Sequence, residues 1–481
     1  MKQFITRYPL LVLIALLAFM LRLYKIDTPL LDWHSWRQAD TASVTREFQK
    51  NGIQLLYPKY HDLSNIPSGL PNPEGYRMVE FPLYNALVAS LLAVAPQLPL
   101  VVTSRVVSIL FSIGTLISLF FFVTSYYGKK AGYLAAFFFA VLPYSIFYSR
   151  VILPEPVMVF FSTFSITCFR FFLLRNSNKY YFLSLASIAI SFLLKPFTAF
   201  LAPVYIVMIF EQRSLKEVAR DLRLYVYGVL AVVPFLLWRD WIQQFPEGIP
   251  ASDWLFNGNG IRFRPAWIRW LGYERITKLI LGYIGILALP VSLFESTMKK
   301  KFILLSWWLG IGLYFTVIAT GNVQHDYYQA LLTPIISFTL AHAVLVADKW
   351  IANKTNALVS VGLLSVVTGV MLFLGWQQVK GYFNINHPEY AEVGQIAQEI
   401  LPEDALVIAP QYGGDTAFLF QTNRRGWPLG FMIDEKIEQG AKYYVTTTLD
   451  DEAKELAKKY FIVEQTEKYL ILDLTKDTSV E

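Results

Sequence analysis

What most constrains this chain is a succession of apolar runs long enough to cross a lipid bilayer, at 9–26, 101–125, 131–148, 152–174, 273–294, 302–320, 329–348 and 357–376. A crossing needs roughly 17–25 mostly apolar residues. Four shorter runs, 82–97, 180–194, 198–211 and 224–238, are not classified by length alone. The excess of Lys and Arg in cytoplasmic loops sorts them. The basic clusters are Lys2 with Arg7; Lys129 with Lys130; Arg175 with Lys179; Arg213, Lys216, Arg220 and Arg223; Lys299 to Lys301; and Lys349 with Lys354. All fall inside the cell only if 82–97 does not cross, 180–194 and 198–211 form a hairpin broken at Lys195–Pro196, and 224–238 crosses. The expected architecture is a polytopic α-helical membrane protein of about eleven spans, N-terminus cytoplasmic and C-terminus outside, with 82–97 lying on or dipping into the outer leaflet. Met20 to Lys25 offers no small-residue cleavage site, so the first span is expected to stay as an anchor.

Charge divides the chain the same way. Only 16% of residues are charged, against about 25% in a soluble domain, and 55% are apolar. The net charge of +6 splits into +15 over residues 1–383 and −9 over 384–481. We therefore expect a membrane domain, 1–383, whose first outer loop is 27–100, and a water-soluble domain, 384–481. In the latter, 405–410, 443–446 and 469–473 read as strands and 389–400 and 451–459 as amphipathic helices, giving a small α/β domain. Residues 254–271, where Trp and Phe alternate with Arg262, Arg264 and Arg269, suit a helix at the headgroup level. The one cysteine, Cys168, lies in an apolar run, which excludes a disulfide framework and a cysteine-based zinc site. Basic residues spread between apolar segments set topology and form no nucleic-acid surface.

Ionisable residues at the outer ends of spans are expensive and mark sites. The first outer loop carries Asp32, His34, Trp36, Arg37, Gln38 and Asp40, with a helix expected from Trp36 that puts Trp36, Asp40, Ser43 and Glu47 on one face. A carboxylate at Asp40 suits a general base taking a proton from an acceptor hydroxyl or amine. The alternative is that Asp32 caps this helix and Asp40 is a solvated acid. Glu155, the only acidic residue between Glu80 and Glu211, stands in the second outer loop with Arg150. It has either a structural partner such as Arg150 or a chemical role. Glu80 and Tyr84 at the start of 82–97, Arg105, Lys195, and the run Gln324 to Tyr328 with His325, Asp326 and Tyr327 complete the outward polar set. Arg105 and Lys195 taken singly also suit snorkelling anchors. Phosphate-loop, His-Glu-x-x-His and serine-elbow patterns are absent from the sequence, and the five histidines are scattered.

In order along the chain, Thr45-Arg-Glu-Phe48, Phe81-Pro-Leu-Tyr84, Ser149-Arg-x-x-Leu-Pro-Glu155, Leu194-Lys-Pro196 and His325-Asp-Tyr-Tyr328 resemble the GT-C superfamily of polyprenyl-phosphate-sugar-dependent glycosyltransferases, in the group of protein O-mannosyltransferases and the lipid A aminoarabinose transferase. His34-Ser-Trp-Arg-Gln-Ala-Asp40 also looks like a first-loop signature of bacterial members with a C-terminal outer domain. The resemblance implies a GT-C fold in the inner (plasma) membrane. It also implies an outward cavity where a polyprenyl-phosphate sugar meets an extracytoplasmic acceptor, and inversion at the anomeric carbon. Carried over by position, Asp40 is the base and Glu155 the second acidic residue. Many relatives place an Asp-Glu pair where Arg37 and Gln38 stand, and a phosphate-holding lysine where Glu80 stands, so the phosphate falls to Arg37, Arg105, Lys195 or His325. His34, Trp36, Glu80, Tyr84, Arg150, Asp326 and Tyr327 are then substrate contacts. No cofactor is required, because phosphate is already a good leaving group; a divalent metal on Asp40 and Glu155 stays open without a supporting pattern. The competing class is a transporter or flippase of a lipid-linked or polar substrate, against which stand the absence of internal duplication and the crowding of polar residues to one face. A sensor with an outer C-terminal ligand domain is a third.

Overall fold

The computed structural model describes residues 6–294 and 298–478, so Lys2 lies outside the described residues, as does the side chain of Lys299. The chain divides into two compact units: one of Met1–Ile26, Arg105–Arg239 and Ser252–Tyr382, the other of Asp27–Ser104, Asp240–Ala251 and Phe383–Glu481. The last segment of the second unit begins where the charge of the sequence changes sign, and the first outer loop belongs with it.

The first unit is helical. Leu100–Val141, Glu155–Arg175, Leu222–Gln244, Asp326–Lys354 and Ala357–Ile400 are helical stretches long and apolar enough to cross a membrane. Pro9–Arg22, Asn178–Leu194 and Pro196–Gln212 are shorter apolar helices. The turn between 101–125 and 131–148 is confined to one residue: Gly128 takes φ 83°, ψ 171° inside an otherwise continuous helix, a backbone that only glycine adopts without strain. The break at Lys195–Pro196 is where the sequence places it, with Lys195 extended and a 3₁₀ turn following at Pro196–Leu201.

Two expectations are corrected. Residues 254–271 do not form one unbroken helix: Trp254–Asn257 is a single turn, Gly258 and Gly260 interrupt the segment, and helix resumes at Pro265–Ile268 and runs on into the next element. Nor is 273–294 one straight span. A π-helix over Arg269–Ile280 and the helical turns Ile284–Leu287 and Ala288–Ser292 are bent by 111° about Gly282, where the backbone packs against Met371.

The second unit holds all the strands found among the described residues. β1 (Leu406–Ile408), β2 (Arg425–Trp427), β3 (Ala441–Thr446), β4 (Tyr460–Gln465) and β5 (Leu470–Asp477) form one sheet in the order β2-β1-β3-β5-β4, parallel over the first three and antiparallel beyond. Helices Pro388–Ile400 and Asp451–Lys459 lie where their amphipathic pattern predicts, the latter capped by Asp450 accepting from the Ala453 N–H. Each of the sheet's two apolar cores recruits a residue from the first outer loop: Leu31 packs with Val393, Phe418 and Ile471, and Leu63 with Ile408, Trp427 and Leu472.

The first loop also supplies the helix Ser35–Asn51 and the helix Leu83–Val94. The latter, about 18 Å long at 1.5 Å per residue, is too short for a hydrocarbon core of about 30 Å. Asn85 ties the two together, its amide donating to Thr41 O at 2.6 Å and Thr45 Oγ1 at 3.1 Å.

Candidate functional site

In the second unit, the helix Ser35–Asn51 begins after His34 in a left-handed conformation (φ 56°) with no side-chain cap, and the His34 ring lies 5.1 Å from Trp33. Asp32, three residues ahead of this helix, is buried. Its Oδ1 accepts from Gln38 Nε2 at 2.8 Å, one turn into the helix, and the same amide donates to Trp33 O at 2.9 Å. One residue before Gln38, Arg37 forms an ion pair with Glu80, so the first-loop cation and the acid standing at the expected lysine position are paired with each other.

Asp40 faces elsewhere. Its Oδ2 is 2.9 Å from Arg77 Nη2 and its Oδ1 accepts from Thr416 Oγ1 at 2.8 Å. The residue is 4% exposed, and two chain segments far from it in sequence converge on its carboxylate. Arg77 is absent from the sequence reading; its signal was that it is the only Lys or Arg between Lys59 and Arg105. Thr416 carried no signal.

Around this clamp the first loop is joined to the sheet. Arg46 donates to Phe420 O at 2.9 Å, with its guanidinium 3.8 Å from the Phe420 ring centroid. The Gly426 N–H donates to His61 O at 2.9 Å and Leu63 N–H to Gly426 O at 2.8 Å, so 61–63 continues the sheet beyond β2. A Cβ at Gly426 would sit 1.7 Å from Val407 O, which fixes glycine there. Burial pushes the Asp62 carboxyl up to about 6 and that of Asp415 likewise to about 6, and it holds the His61 imidazole well below its ordinary value. Trp36 is half-buried on the same helix, and Tyr84 is buried, donating to Ser104 O at 2.8 Å.

In the first unit the second acidic candidate has a different environment. Glu155 opens its helix after Pro154 and is 2% exposed. Its partner is Lys195, 2.6 Å from Oε1, rather than Arg150; beyond this ion contact neither carboxylate oxygen accepts a hydrogen bond from the described residues. The Lys195 ammonium is ringed by aromatic faces, with Tyr328, Tyr327 and Phe197 centroids at 5.1, 5.6 and 5.7 Å. His325 stacks on Tyr327 at 5.3 Å and meets Trp254 edge-on at 5.4 Å. The break at Lys195–Pro196 explains the placement: an extended residue between two helices can turn its side chain to the end of a third.

Asp326 is engaged by tyrosines. Oδ1 accepts from Tyr148 and Oδ2 from Tyr382, each at 2.5 Å; its backbone carbonyl accepts from Tyr144 at 2.6 Å, and Arg275 lies 3.7 Å away. This arrangement holds the turn that presents Tyr327 and Tyr328 to Lys195. Arg105 and Arg150, 0% and 1% exposed, donate to Ile26 O and Lys25 O at 2.9 Å, anchoring the end of the first span. No three His, Cys, Asp or Glu side chains among the described residues converge as a metal site requires.

The fold is shared with solved structures at low sequence identity. ArnT from Cupriavidus metallidurans bound to undecaprenyl phosphate superposes with a TM-score of 0.68 over 97% of this chain and 98% of its own, at 13% identity. An oligosaccharyltransferase of Archaeoglobus fulgidus matches at 0.59 over 91% of this chain and 68% of its own, at 12% identity. The mycobacterial arabinofuranosyltransferase AftD matches at 0.52 over 97% of this chain and 41% of its own, at 14% identity. In sequence, residues 82–238 match the family described as dolichyl-phosphate-mannose-protein mannosyltransferase. No curated protein matches the chain in sequence.

Proposed function

We propose that this chain is a membrane glycosyltransferase that moves a sugar from a polyprenyl-phosphate donor to an extracytoplasmic acceptor with inversion. The observation that carries the proposal is the likeness to ArnT over nearly the whole of both chains, in a structure whose ligand is undecaprenyl phosphate. The side chains supply matching chemistry. Lys195, in its aromatic ring and beside Glu155, is a cation suited to the charge that develops on a departing lipid phosphate, in surroundings poor in water where such a contact counts for more. Glu155 has acceptor capacity to spare for sugar hydroxyls.

For the acceptor's proton we assign Asp32 in place of Asp40. The Arg77 ion pair and the Thr416 hydrogen bond commit the Asp40 carboxylate to joining the first loop to the C-terminal domain, and putting a proton on it would break that buried ion pair. Asp32 instead neighbours, through Gln38, the Arg37–Glu80 pair. The reaction is a single displacement: the acceptor oxygen or nitrogen bonds to the anomeric carbon, the bond from that carbon to phosphate oxygen breaks, and the proton goes to Asp32. The orientation that follows from the loop cations puts the second unit outside the cytoplasm.

The test is purified protein in liposomes with a polyprenyl-phosphate sugar. Release of polyprenyl phosphate, lost on replacing Lys195 by Met, supports the proposal. Movement of intact donor across the bilayer without release would establish a flippase instead.

A further inference from the structure

Independently of its chemistry, the second unit carries a sheet edge with apolar side chains exposed. β4 is the last strand of the sheet, so among the described residues no strand lies beside its outer edge. Its sequence there is apolar, and a bulge between Ile462 and Glu464 turns successive side chains outward: Phe461, Ile462 and Val463 are 46%, 39% and 38% exposed. Elsewhere proteins protect such edges with charge at the centre of the strand; here the charges stand at its two ends with opposite sign. Lys458 and Lys459, the last residues of the helix Asp451–Lys459, precede the strand, Lys459 lying 3.3 Å from Asp434, and Glu464 and Glu467 end and follow it. A strand with cations before an apolar centre and carboxylates after it is complementary to itself when run antiparallel.

We propose that two copies of this chain associate through β4, antiparallel about Ile462. Ile462 then faces Ile462 of the second copy, Phe461 faces Val463, and the helix end carrying Lys458 and Lys459 comes beside the stretch Gln465 to Glu467. The contact is isologous, as a two-fold pairing requires, and gains from backbone hydrogen bonds as well as apolar cross-strand pairs. Glu467, exposed and without an ion-pair partner among the described residues, acquires one from Lys458 of the second copy. Among the described residues the ion-pair partner of Lys458 is Glu455 on the surface of its own helix, a pair worth little.

Cys168 is the only native cysteine and is buried, so an introduced thiol reports alone. Full-length Ile462→Cys in detergent micelles and in liposomes is expected to form an intermolecular disulfide on mild oxidation, at least fivefold more than Thr448→Cys on another surface of the same domain. Lys458→Glu or Glu467→Lys, each added to Ile462→Cys, is expected to cut that yield several-fold, and both together to restore it. Yields equal to the Thr448→Cys control overturn the proposal. So does a dimer indifferent to both charge reversals. An environment-sensitive dye on the thiol of Ile462→Cys that shifts to the blue in liposomes with no cross-link would show that this edge meets lipid, and would overturn it as well.

Discussion

Two buried carboxylates, one in each unit, have opposite surroundings. Asp40 gives one oxygen to an arginine and the other to a threonine from the C-terminal domain. Glu155 has a lysine ion contact and otherwise, among the described residues, no hydrogen-bond donor on either oxygen. Leaving buried acceptors unmade is costly, so Glu155 has more to gain from a ligand donor than Asp40, whose two oxygens each already meet a partner. The contrast distinguishes a residue that fastens the first loop to the C-terminal domain from the one we propose for ligand contact, although the two look alike in the sequence.

The largest effect should come from breaking the fastened side. Arg77→Ala leaves Asp40 as an uncompensated buried charge, a loss of about 3–5 kcal/mol. Thermal unfolding should fall by roughly 10 °C, with proteolysis opening both the first loop and the C-terminal domain. For the same reason deletion of 384–481 should unfold the helix Ser35–Asn51 rather than merely change the acceptor, because Leu31, Arg46, Asp40 and Leu63 lose their partners together. An intact, protease-resistant first loop in that truncation would dissolve the second unit as a unit.

On the other side, Glu155→Gln should cost turnover far more than fold. Activity per folded molecule is expected to drop about 100-fold, in the range typical of positioned acid–base or charge-stabilising groups. Equal losses in melting temperature for Glu155→Gln and Arg77→Ala would erase the distinction. Arg46→Lys is smaller again: it loses the planar stack on Phe420 while keeping the charge, for a destabilisation of about 1 kcal/mol by chemical denaturation.

A further effect is one of pH. The Asp62 carboxyl, pushed to about 6 from an ordinary 3.8 by burial, binds its proton more tightly folded than unfolded. Its contribution is full below about pH 4 and is lost as pH rises through 6. Asp62→Asn, which keeps the acceptor for the Ser64 N–H, should therefore raise the melting temperature at pH 7.5 relative to the parent and leave it little changed at pH 4. His61 works in the opposite direction, being held neutral when folded, and cancels in the difference between the two proteins.

Local pattern explains what was legible in the sequence. The helix beginning near Trp36, the break at Lys195–Pro196, the turn at Gly128 and the helices of the C-terminal domain all follow from residues adjacent in the chain. The pairing of Glu155 with Lys195 instead of Arg150, the Arg37–Glu80 pair and the clamp on Asp40 join residues far apart in the chain. No periodicity encodes such distances, and one threonine among many gives no sign of its partner. β2 and β4 were missed for related reasons: β2 is three residues held by neighbours on both sides, and β4 follows its helix without a turn residue between Lys459 and Tyr460. The bend at Gly282 hid inside a run whose hydrophobicity alone suggested one straight crossing.

The sharpest test compares Asp32→Asn with Asp40→Asn, measuring sugar transfer from a polyprenyl-phosphate donor per folded molecule alongside the melting temperature of each. Asp32→Asn is expected to lose at least about 100-fold in turnover with its melting temperature unchanged, and Asp40→Asn to melt lower while its folded fraction keeps turnover within about tenfold of the parent. Full turnover in Asp32→Asn, with transfer abolished in a stably folded Asp40→Asn, would contradict the assignment and return the proton to Asp40.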